Sequence, residues 1–462
     1  MYDDLAPEPD SYDLLEDDDS YFYQDAGGDD DDLSTFTTSI STVYRYCLKP
    51  TVLDAYSNLL HIFLVCLVFR TLTQLVKIPH PFHHLTSAFS GVYVLYVVFG
   101  YNAVYTVLLA AFGCVSLKTS QLLPSRHRDY ITSAIFLFYL LISEFGLINQ
   151  PTWERIRGPQ MVMCMKIISY CFDLRHSSSR AFNAYDFLGY VLCPGTLVFG
   201  PWVPFADYMA AFENDKWDLK WLSKVFSHFL KSLFFFALSV CLLEWIIPDE
   251  ASPNWLMYRD AMLFRVGHYF VSFVSETSAH CAGLTKTEVT RPMSIEFPDS
   301  LVQVVVYWNL PIHRWLKTYV FRTTLPAGTF VAVMSTYFVS ALLHGANAKL
   351  SAILLSLGIY TYVEYCLRKK LSDMFGACIA ARPCTQPCST HKHRTTSNIV
   401  VHTINLAFSL LAMFHLAYLG SIIDTTGGSS LEPFSRWARV SYVSHVMVVA
   451  TYLVHCSLSL IW

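Results

Sequence analysis

The sequence has few charged residues and no site for N-linked glycosylation. Only 15% of the 462 residues are Asp, Glu, Lys or Arg, whereas 53% are hydrophobic and the mean hydropathy is positive. A soluble domain of this length exposes more charge, so this composition excludes an ordinary soluble enzyme. No Asn-x-Ser/Thr triplet occurs, so attached sugars cannot mark the loops that reach a lumen. The composition predicts a membrane protein.

Positive charge is absent from the first thirty-five residues, which contain fourteen Asp and Glu. Such a segment cannot bury enough apolar surface to offset the entropy of ordering, so residues 1–40 are predicted to be a disordered acidic tail. No basic start precedes a short apolar core, which argues against a cleaved signal peptide. Without these fourteen acids the chain has 22 acidic and 32 basic residues, so the membrane domain, residues 50–462, carries about +10.

Apolar stretches of membrane-spanning length recur along the rest of the chain. They cover residues 57–76, 85–117 (long enough for two passes), 130–148, 226–247, 327–343, 350–367, 398–423 and 440–461. Weaker candidates are 161–172, 185–203 and 262–282. Roughly twenty residues cross the hydrocarbon, and backbone polar groups there must bond within the protein. These stretches therefore predict an all-α, polytopic membrane protein with about ten to twelve transmembrane or re-entrant helices.

Basic loops predict the orientation of these helices. Lys and Arg concentrate in residues 126–128, 314–322 and 368–394, and loops of this kind stay on the cytosolic side. If the last two loops are both cytosolic, the intervening helices form a hairpin that places His344 near the luminal end. Asn309 then belongs to the cytosolic half. An enzyme whose two substrates arrive from opposite faces needs such an arrangement.

Two polar residues lie close together in the sequence of an otherwise apolar region. Asn309 lies in a basic, amphipathic stretch, and an apolar helix ends at His344. Tyr337, Ser340 and His344 are three and four residues apart, so they share one face of that helix. A packing interpretation stays open, in which His344 bonds a neighbouring helix and Ser340 is a small interhelical residue. Other histidines also lie in or beside apolar segments, so position alone does not select His344.

The resemblance to a known family does select it. The stretch 308–321, followed by a helix ending in residues 340–345, resembles the signature of the membrane-bound O-acyltransferase superfamily. Residues 308–311 (Trp-Asn-Leu-Pro) and 199–202 (Phe-Gly-Pro-Trp) are most similar to the branch that acylates Wnt proteins. Further similar stretches extend this resemblance from about residue 57 to near the C-terminus.

This resemblance implies a fold with a central tunnel and a multi-pass location in the endoplasmic reticulum membrane. It implies a protein-serine O-acyltransferase that moves a palmitoleoyl chain from palmitoleoyl-CoA to one serine of a Wnt protein, as Wnt secretion and signalling require. Coenzyme A carries the donor, so no bound cofactor is expected. Wnt proteins, acyl-CoA and membrane lipids are the expected partners, and nucleic acid is not.

The resemblance also implies roles for particular residues. His344 matches the family's catalytic histidine, Asn309 its second polar residue, and Ser340 a neighbouring site residue. Trp308 and Tyr337 are expected to line the same chamber. A thioester is already activated, so one neutral imidazole is a sufficient base for attack by a hydroxyl. Asn309 can donate to the thioester carbonyl or orient water. Direct transfer is favoured over an acyl-enzyme formed on Ser340 or a cysteine.

Basic and embedded charged residues have two interpretations. Arg314, Lys317 and Arg322 can hold the phosphates of coenzyme A, or they can simply follow the preference for positive charge on the cytosolic side. A second set interrupts apolar segments and is predicted to form pairs that hold helices together or to line the tunnel, with pairing favoured. Its members are Lys166, Asp173, Arg265, His268 and Glu276.

The loop at residues 371–396 is rich in cysteine and histidine. Cys378, Cys384, Cys388 and His391 offer thiolate and imidazole ligands for zinc. The gap between the first two cysteines is longer than usual, so zinc is the weaker expectation and no catalytic metal is predicted. Unmodified thiols, S-acylation, or a disulfide if the topology were inverted are the alternatives.

Three other functions are alternatives to an acyltransferase that acts on Wnt proteins. Another acyltransferase of the superfamily would act on a lipid or a sterol. A non-enzymatic lipid transporter would use His344 and Asn309 along a conduction path, but transporters often show related halves and the sequence has no internal repeat. A lipid-binding chaperone is the third.

Overall fold

A computed structural model describes residues 40–74, 79–176, 182–213, 217–345, 347–382, 384, 388, 390–394, 398–423 and 434–461. In these ranges the chain is helical apart from its loops, and the only β pairing is an isolated bridge between Ala377 and His393. The predicted acidic tail lies outside the described residues except for its last position. The prediction of an all-α polytopic membrane protein is confirmed.

Eleven of the described helices are long. They are Lys49–Gln74, His80–Phe99, Ala103–Ser120, Ser125–Ile142, Gln150–His176, Leu219–Ala237, Pro253–Cys281, Thr329–Leu343, Ala348–Phe375, Ile399–Gly420 and Val443–Ile461. Short α-helices cover Ile40–Val43, Ala184–Val191, Pro194–Leu197, Phe205–Glu213, Leu243–Ile246, Pro292–Glu296, Leu301–Trp308, Leu310–Leu316, Arg322–Thr324 and Ser435–Arg439. The π-helical turns are Tyr44–Leu48, Ser143–Leu147, Leu238–Leu242 and Lys317–Phe321, and the 3-10 turns are Gly100–Asn102 and Leu325–Ala327. Within the described ranges, seven helical segments are long and apolar enough to cross a membrane.

Most predicted apolar stretches are long helices, but one is not. The stretch 85–117 is divided into two helices by the turn Gly100–Asn102. The stretch 185–203 is not a spanning helix, because it contains only Ala184–Val191 and Pro194–Leu197, joined and followed by irregular backbone. Nearly all of it is buried inside the protein. Its apolar composition reflects a protein core, where irregular backbone is tolerated, and not contact with lipid.

The outer helices expose apolar side chains, and one helix runs through the middle. Leu64 and Val449 are examples of large hydrophobic residues on the outside, with 58% and 59% of their surface exposed. Pro253–Cys281, the central helix, contacts Leu219–Ala237, Lys49–Gln74 and Ile399–Gly420. An apolar exterior around a bundle is the arrangement expected for a protein surrounded by hydrocarbon.

Embedded ionisable residues have polar partners on other segments of the bundle. Arg265 of the central helix donates to Glu296 at 2.8 Å and 3.2 Å. The buried amine of Lys166 donates to the hydroxyl of Thr196 at 2.7 Å and to the carbonyl of Tyr190 at 3.0 Å. These contacts offset the free-energy cost of burying charged groups. They therefore support the interpretation that such residues hold helices together.

Two antiparallel helices decide which loops share an end of the bundle. The histidine helix, Thr329–Leu343, packs against the return helix, Ala348–Phe375. The Phe330 and Tyr362 rings lie 5.1 Å apart near one end, and the Tyr337 ring packs on Gly358 nearer the other. The basic residues before the first helix and after the second therefore lie at the same end, as predicted from the basic loops. His344 lies at the opposite end.

A disulfide joins Cys47 and Cys241. After Cys241 the chain reaches Ile247, whose carbonyl accepts a 2.7 Å hydrogen bond from Arg259. Adjacent Asp260 accepts from Arg436 at 2.6 Å, and Arg436 also donates to the carbonyl of Ser421 at 3.0 Å.

The helix that ends just before Ser421 reaches the cysteine-rich loop at its other end. Ser421 directly follows Ile399–Gly420, a 22-residue helix of about 33 Å. Near its start, Asn405 donates to the carbonyl of Cys378 at 2.9 Å. The disulfide and this loop are therefore at opposite ends of the bundle, here named the disulfide face and the loop face.

Candidate active site

The helix that carries Trp308 breaks at Asn309. Leu301–Trp308 ends there, Asn309 is extended with φ −148° and ψ 92°, and Leu310–Leu316 begins. Pro311 suits the first turn of the new helix because it lacks a backbone N–H. The Asn309 Oδ1 atom accepts from the backbone N–H of Ile312 at 3.1 Å, so it caps this helix. The amide nitrogen is then the donor group of the Asn309 side chain.

The backbone groups around this break are satisfied by a neighbouring segment. The N–H of Leu310 donates to the carbonyl of Val289 at 2.8 Å, and the carbonyl of Tyr307 accepts from the N–H of Arg291 at 3.2 Å. Buried Glu276 accepts from the N–H of Val289 at 2.6 Å and so holds this segment. Broken helices at membrane depth need such partners. The break at Asn309 is thus a defined part of the fold.

His268 of the central helix holds the residue before the break. Its Nε2 atom lies 2.7 Å from the carbonyl oxygen of Trp308, so this nitrogen is the donor. The His268 and Trp308 rings are stacked with centroids 4.4 Å apart, and Phe264 stacks on the same indole at 5.9 Å. These contacts fix the orientation of Trp308. Its predicted role in lining a chamber stays a prediction.

His344 ends the histidine helix on the disulfide face. Its backbone N–H donates to the carbonyl of Ser340 at 3.1 Å, and its side chain is half-buried. Arg157 and His268 are its charged or titratable neighbours. His268 thus holds Trp308 and also acts electrostatically on His344, which relates the two parts of the predicted site. The sequence placed His268 among residues predicted to pair helices or to line the tunnel, and no motif spacing links it to His344.

The turn after His344 requires glycine. Gly345 has φ +88°, and a β-carbon there would lie 2.6 Å from Oε2 of Glu144 and 3.0 Å from Nη1 of Arg157. Glu144 is itself held by the indole N–H of Trp153 at 2.6 Å. The Glu144–Arg157 pair, separated by 3.5 Å, thus packs directly against the turn that positions His344.

We expect Gly345→Ala to lower the stability of the protein in detergent. An alanine must adopt a left-handed conformation and must also displace Glu144, so we expect a loss of roughly 1–3 kcal/mol for the strain alone. Thermal unfolding measures the change. Gly100→Ala is the matched control, since Gly100 also has a positive φ but has no neighbour within 4 Å of the added carbon. An equal loss in both variants would contradict the packing argument.

Tyr337 and Ser340 lie on the face of the helix that the spacing predicted. The Tyr337 ring packs on Gly358, and its hydroxyl donates to Thr361 of the return helix at 3.4 Å. Both Tyr337 and Ser340 are buried. These contacts give Tyr337 a helix-packing role, and substrate contact by Tyr337 and Ser340 stays a prediction.

Arg314 and Lys317 lie at the loop face, together with a basic residue that the sequence did not single out. Lys317 is exposed and Arg314 is half-buried, and the charges of both act on His313, as does the charge of Arg382 from the cysteine-rich loop. A hydrogen bond from Arg291 lowers the pKa of nearby Glu288, and the charge of Arg314 lowers it further. The three basic side chains form a group that can attract phosphates, which we name the basic mouth.

The weaker candidates for metal ligands lie together at the loop face. One possible ligand atom from each of Cys378, Cys384, Cys388 and His391 lies within 4.8 Å of the others. This cluster is separated from His344 by the length of the return helix. It can hold a metal ion, but it is not positioned to act on a reaction at His344.

Comparison with known proteins places this architecture in a family. A sequence profile described as MBOAT, membrane-bound O-acyltransferase family, matches residues 152–369. Protein-serine O-palmitoleoyltransferase porcupine of Mus musculus is 36% identical over 437 residues, which cover 86% of this chain and 94% of that protein. The Homo sapiens protein of the same name has the same identity and coverage. The Anopheles gambiae protein is 32% identical over 463 residues, covering 90% and 93%.

The chain belongs to the membrane-bound O-acyltransferase family. The resemblance seen in the sequence is confirmed. The region that matches the family profile contains both Asn309 and His344 of this membrane-bound O-acyltransferase. It ends before Cys378, so the metal-binding candidates lie outside it.

Proposed function

We propose that this protein transfers a palmitoleoyl group from palmitoleoyl-CoA to a serine hydroxyl of a Wnt protein in the endoplasmic reticulum membrane. The chain is similar to palmitoleoyltransferases over more than nine-tenths of their length, and this similarity supports the proposed reaction. The Wnt acceptor follows from the resemblance of residues 199–202 and 308–311 to the Wnt-acylating branch. Acyl-CoA is the donor that this family chemistry requires.

The proposed mechanism uses His344 as a general base. Its neutral imidazole takes the proton of the serine hydroxyl as the serine oxygen attacks the thioester carbonyl carbon. The new C–O bond forms, the C–S bond breaks, and the proton passes to the departing thiolate of coenzyme A. The amide N–H of Asn309 donates to the carbonyl oxygen as negative charge develops there. The cap made by Asn309 Oδ1 supports this role, since it orients the amide.

We propose that the loop face is cytosolic and the disulfide face luminal. Exposed Lys317 and Arg322 lie toward the loop face, in accord with the preference for positive charge on the cytosolic side. The Cys47–Cys241 disulfide at the other end fits an oxidising lumen. Acyl-CoA then enters at the basic mouth, and the protein acceptor meets His344 from the lumen.

The test is acyl transfer by the purified protein in detergent. Labelled palmitoleoyl-CoA is incubated with a folded Wnt hairpin peptide that contains the acceptor serine, and the product is identified by mass spectrometry. We expect one acyl group on that serine and none on a peptide with serine replaced by alanine. A lysophospholipid and a sterol replace the peptide in parallel reactions. Acylation of either lipid without acylation of the peptide would contradict the proposed acceptor.

Charge at the basic mouth should affect donor affinity. Replacing Lys317 by alanine removes one cation facing the phosphates, so we expect KM for palmitoleoyl-CoA to rise about 3-fold to 10-fold, equivalent to roughly 1 kcal/mol. The value of kcat should change little, because Lys317 lies far from His344. Lys49→Ala removes an exposed charge at the disulfide face and serves as the control. An unchanged KM in Lys317→Ala would remove this residue from the donor site.

A further inference from the structure

Three cysteine sulfurs converge on one nitrogen of a histidine in the loop that follows the return helix. The Nδ1 atom of His391 lies 3.6 Å from the sulfur of Cys378, 3.3 Å from that of Cys384 and 3.4 Å from that of Cys388. None of these cysteines is in a disulfide. A neutral imidazole nitrogen has one lone pair and accepts one hydrogen bond, so hydrogen bonding does not account for three sulfurs at this distance.

The three sulfur–nitrogen separations fit a tetrahedral zinc ion. Zinc binds sulfur at about 2.3 Å and nitrogen at about 2.0 Å, so a tetrahedral site separates a sulfur from the nitrogen by about 3.5 Å. The three observed separations, 3.3 Å to 3.6 Å, lie around that value. Three cysteines and one histidine are a common ligand set for structural zinc.

The other nitrogen of His391 is held by Ser372. The hydroxyl of Ser372 donates to the carbonyl of Ala377 at 2.7 Å, so its oxygen is left to accept from Nε2 of His391 at 3.2 Å. The proton of the neutral ring is then on Nε2, and the lone pair of Nδ1 points toward the sulfurs. Metal-binding histidines are oriented by this kind of outer contact.

Backbone hydrogen bonds compensate for the long sequence separation between Cys378 and Cys384. Gly376 ends the return helix with φ +56°, and Ala377 forms a bridge with His393. The N–H of Cys378 donates to the carbonyl of His393 at 2.9 Å, and the N–H of His393 donates to that of Gly376 at 3.0 Å. This pairing brings Cys378 next to the later ligands, so the number of residues between the cysteines does not limit the site.

The proposed cytosolic location of the loop favours metal binding by its cysteines over disulfide formation. The Cys47–Cys241 disulfide lies at the opposite end of the bundle, so only one of the two faces meets an oxidising compartment. A disulfide between two of the three cysteines would also leave the third thiol unexplained. The sulfur of Cys388 belongs to a buried residue, which disfavours S-acylation there.

We propose that Cys378, Cys384, Cys388 and His391 bind one structural Zn²⁺ ion on the cytosolic face. The three thiols lose their protons on binding, and the ion closes the loop against the end of the return helix. Arg368, buried in that helix, donates to the carbonyl of Ile379 at 2.8 Å and to that of Asp299 at 2.7 Å.

The closed loop therefore supports the segment that leads into Leu301–Trp308 and the break at Asn309. It also carries Arg382 of the basic mouth. The proposed zinc ion thus orders a wall of the donor entrance without taking part in acyl transfer.

Metal analysis of the full chain tests the site. The protein is purified through an epitope tag, without chelator and without added metal, and its metals are measured by mass spectrometry. We expect about one zinc per chain in the wild type. Cys384→Ser and His391→Ala should retain less than a fifth of that, whereas Cys366→Ser, which replaces a half-buried cysteine of the return helix, should retain all of it. Monodisperse wild-type protein with less than about a tenth of a zinc per chain would overturn the proposal, as would another metal at these ligands.

Two further measurements keep the test independent of folding in the variants. Wild-type protein stripped by a chelator and loaded with Co²⁺ should show the thiolate-to-cobalt absorption of a tetrahedral sulfur site. Ser372→Ala keeps all four ligands but loses the contact to Nε2, so its zinc affinity should fall about 10-fold to 100-fold in a chelator competition. Unchanged affinity in Ser372→Ala, or no cobalt–thiolate absorption, would contradict the geometry. Neither readout uses acyl transfer, so the metal site and the proposed enzyme activity can fail separately.

Discussion

Replacing His344 by alanine is expected to reduce acyl transfer by about 10²-fold to 10⁴-fold, the usual contribution of a positioned general base. The side chain lies beyond the last turn of the histidine helix, and its backbone hydrogen bond to Ser340 does not involve the imidazole. The fold should therefore persist. Initial rates with saturating palmitoleoyl-CoA and peptide measure the loss, and thermal unfolding in detergent verifies that the protein is folded.

His61→Ala is the matched control, because His61 is an exposed histidine in an apolar helix and bonds within its own helix, to Ser57 at 2.7 Å. We expect its rate to equal that of the wild type. Ser340→Ala distinguishes direct transfer from an acyl-enzyme and should retain activity within a few-fold. Turnover of His344→Ala close to the wild-type rate would remove the base assignment, and loss of turnover in Ser340→Ala would favour a covalent intermediate.

Asn309→Asp and Asn309→Ser are expected to keep the fold and lose most of the activity. Both new side chains have an oxygen that can accept from the N–H of Ile312, so the helix cap is retained. Neither has an amide N–H to donate to the oxyanion. Removal of such a donor lowers kcat by about 10²-fold to 10³-fold, and the added charge of aspartate should make that variant the slower one.

Asn309→Ala completes this series because it removes the cap as well as the donor. We expect a further loss of about 0.5–2 kcal/mol in stability, visible in thermal unfolding but absent from the serine variant. If Asn309→Ser turned over at the wild-type rate, Asn309 would be a capping residue alone.

Much of the helical architecture could be predicted from the length of the apolar segments in the sequence. Most of segment 398–423 and the described part of segment 57–76 each belong to one long helix, because about twenty apolar residues in sequence have one stable arrangement in hydrocarbon. The same rule failed for 185–203, because buried protein core and lipid-facing helix have the same composition. Prolines and glycines in that stretch were the signal that its backbone is irregular.

The candidate site was predicted only in part. Motif resemblance selected Asn309 and His344, and the spacing placed Tyr337 and Ser340 on the same helical face. The sequence did not reveal that His268 contacts the carbonyl of Trp308 and acts electrostatically on His344. Such a relation joins distant parts of the chain and has no sequence period. Arg382 was missed for the same reason.

The sequence alone determined the membrane location, the helical class, the family and the identity of the two polar residues proposed for catalysis, since all of these depend on composition or on contiguous motifs. Only the tertiary structure decided which groups meet. It paired the embedded charges, connected Asn309 to the central helix through Trp308 and His268, and brought four ligand atoms of the cysteine-rich loop together. The physical reason is that hydrogen bonds and metal geometry depend on distances between side chains, and residues far apart in the chain acquire those distances only when the helices pack.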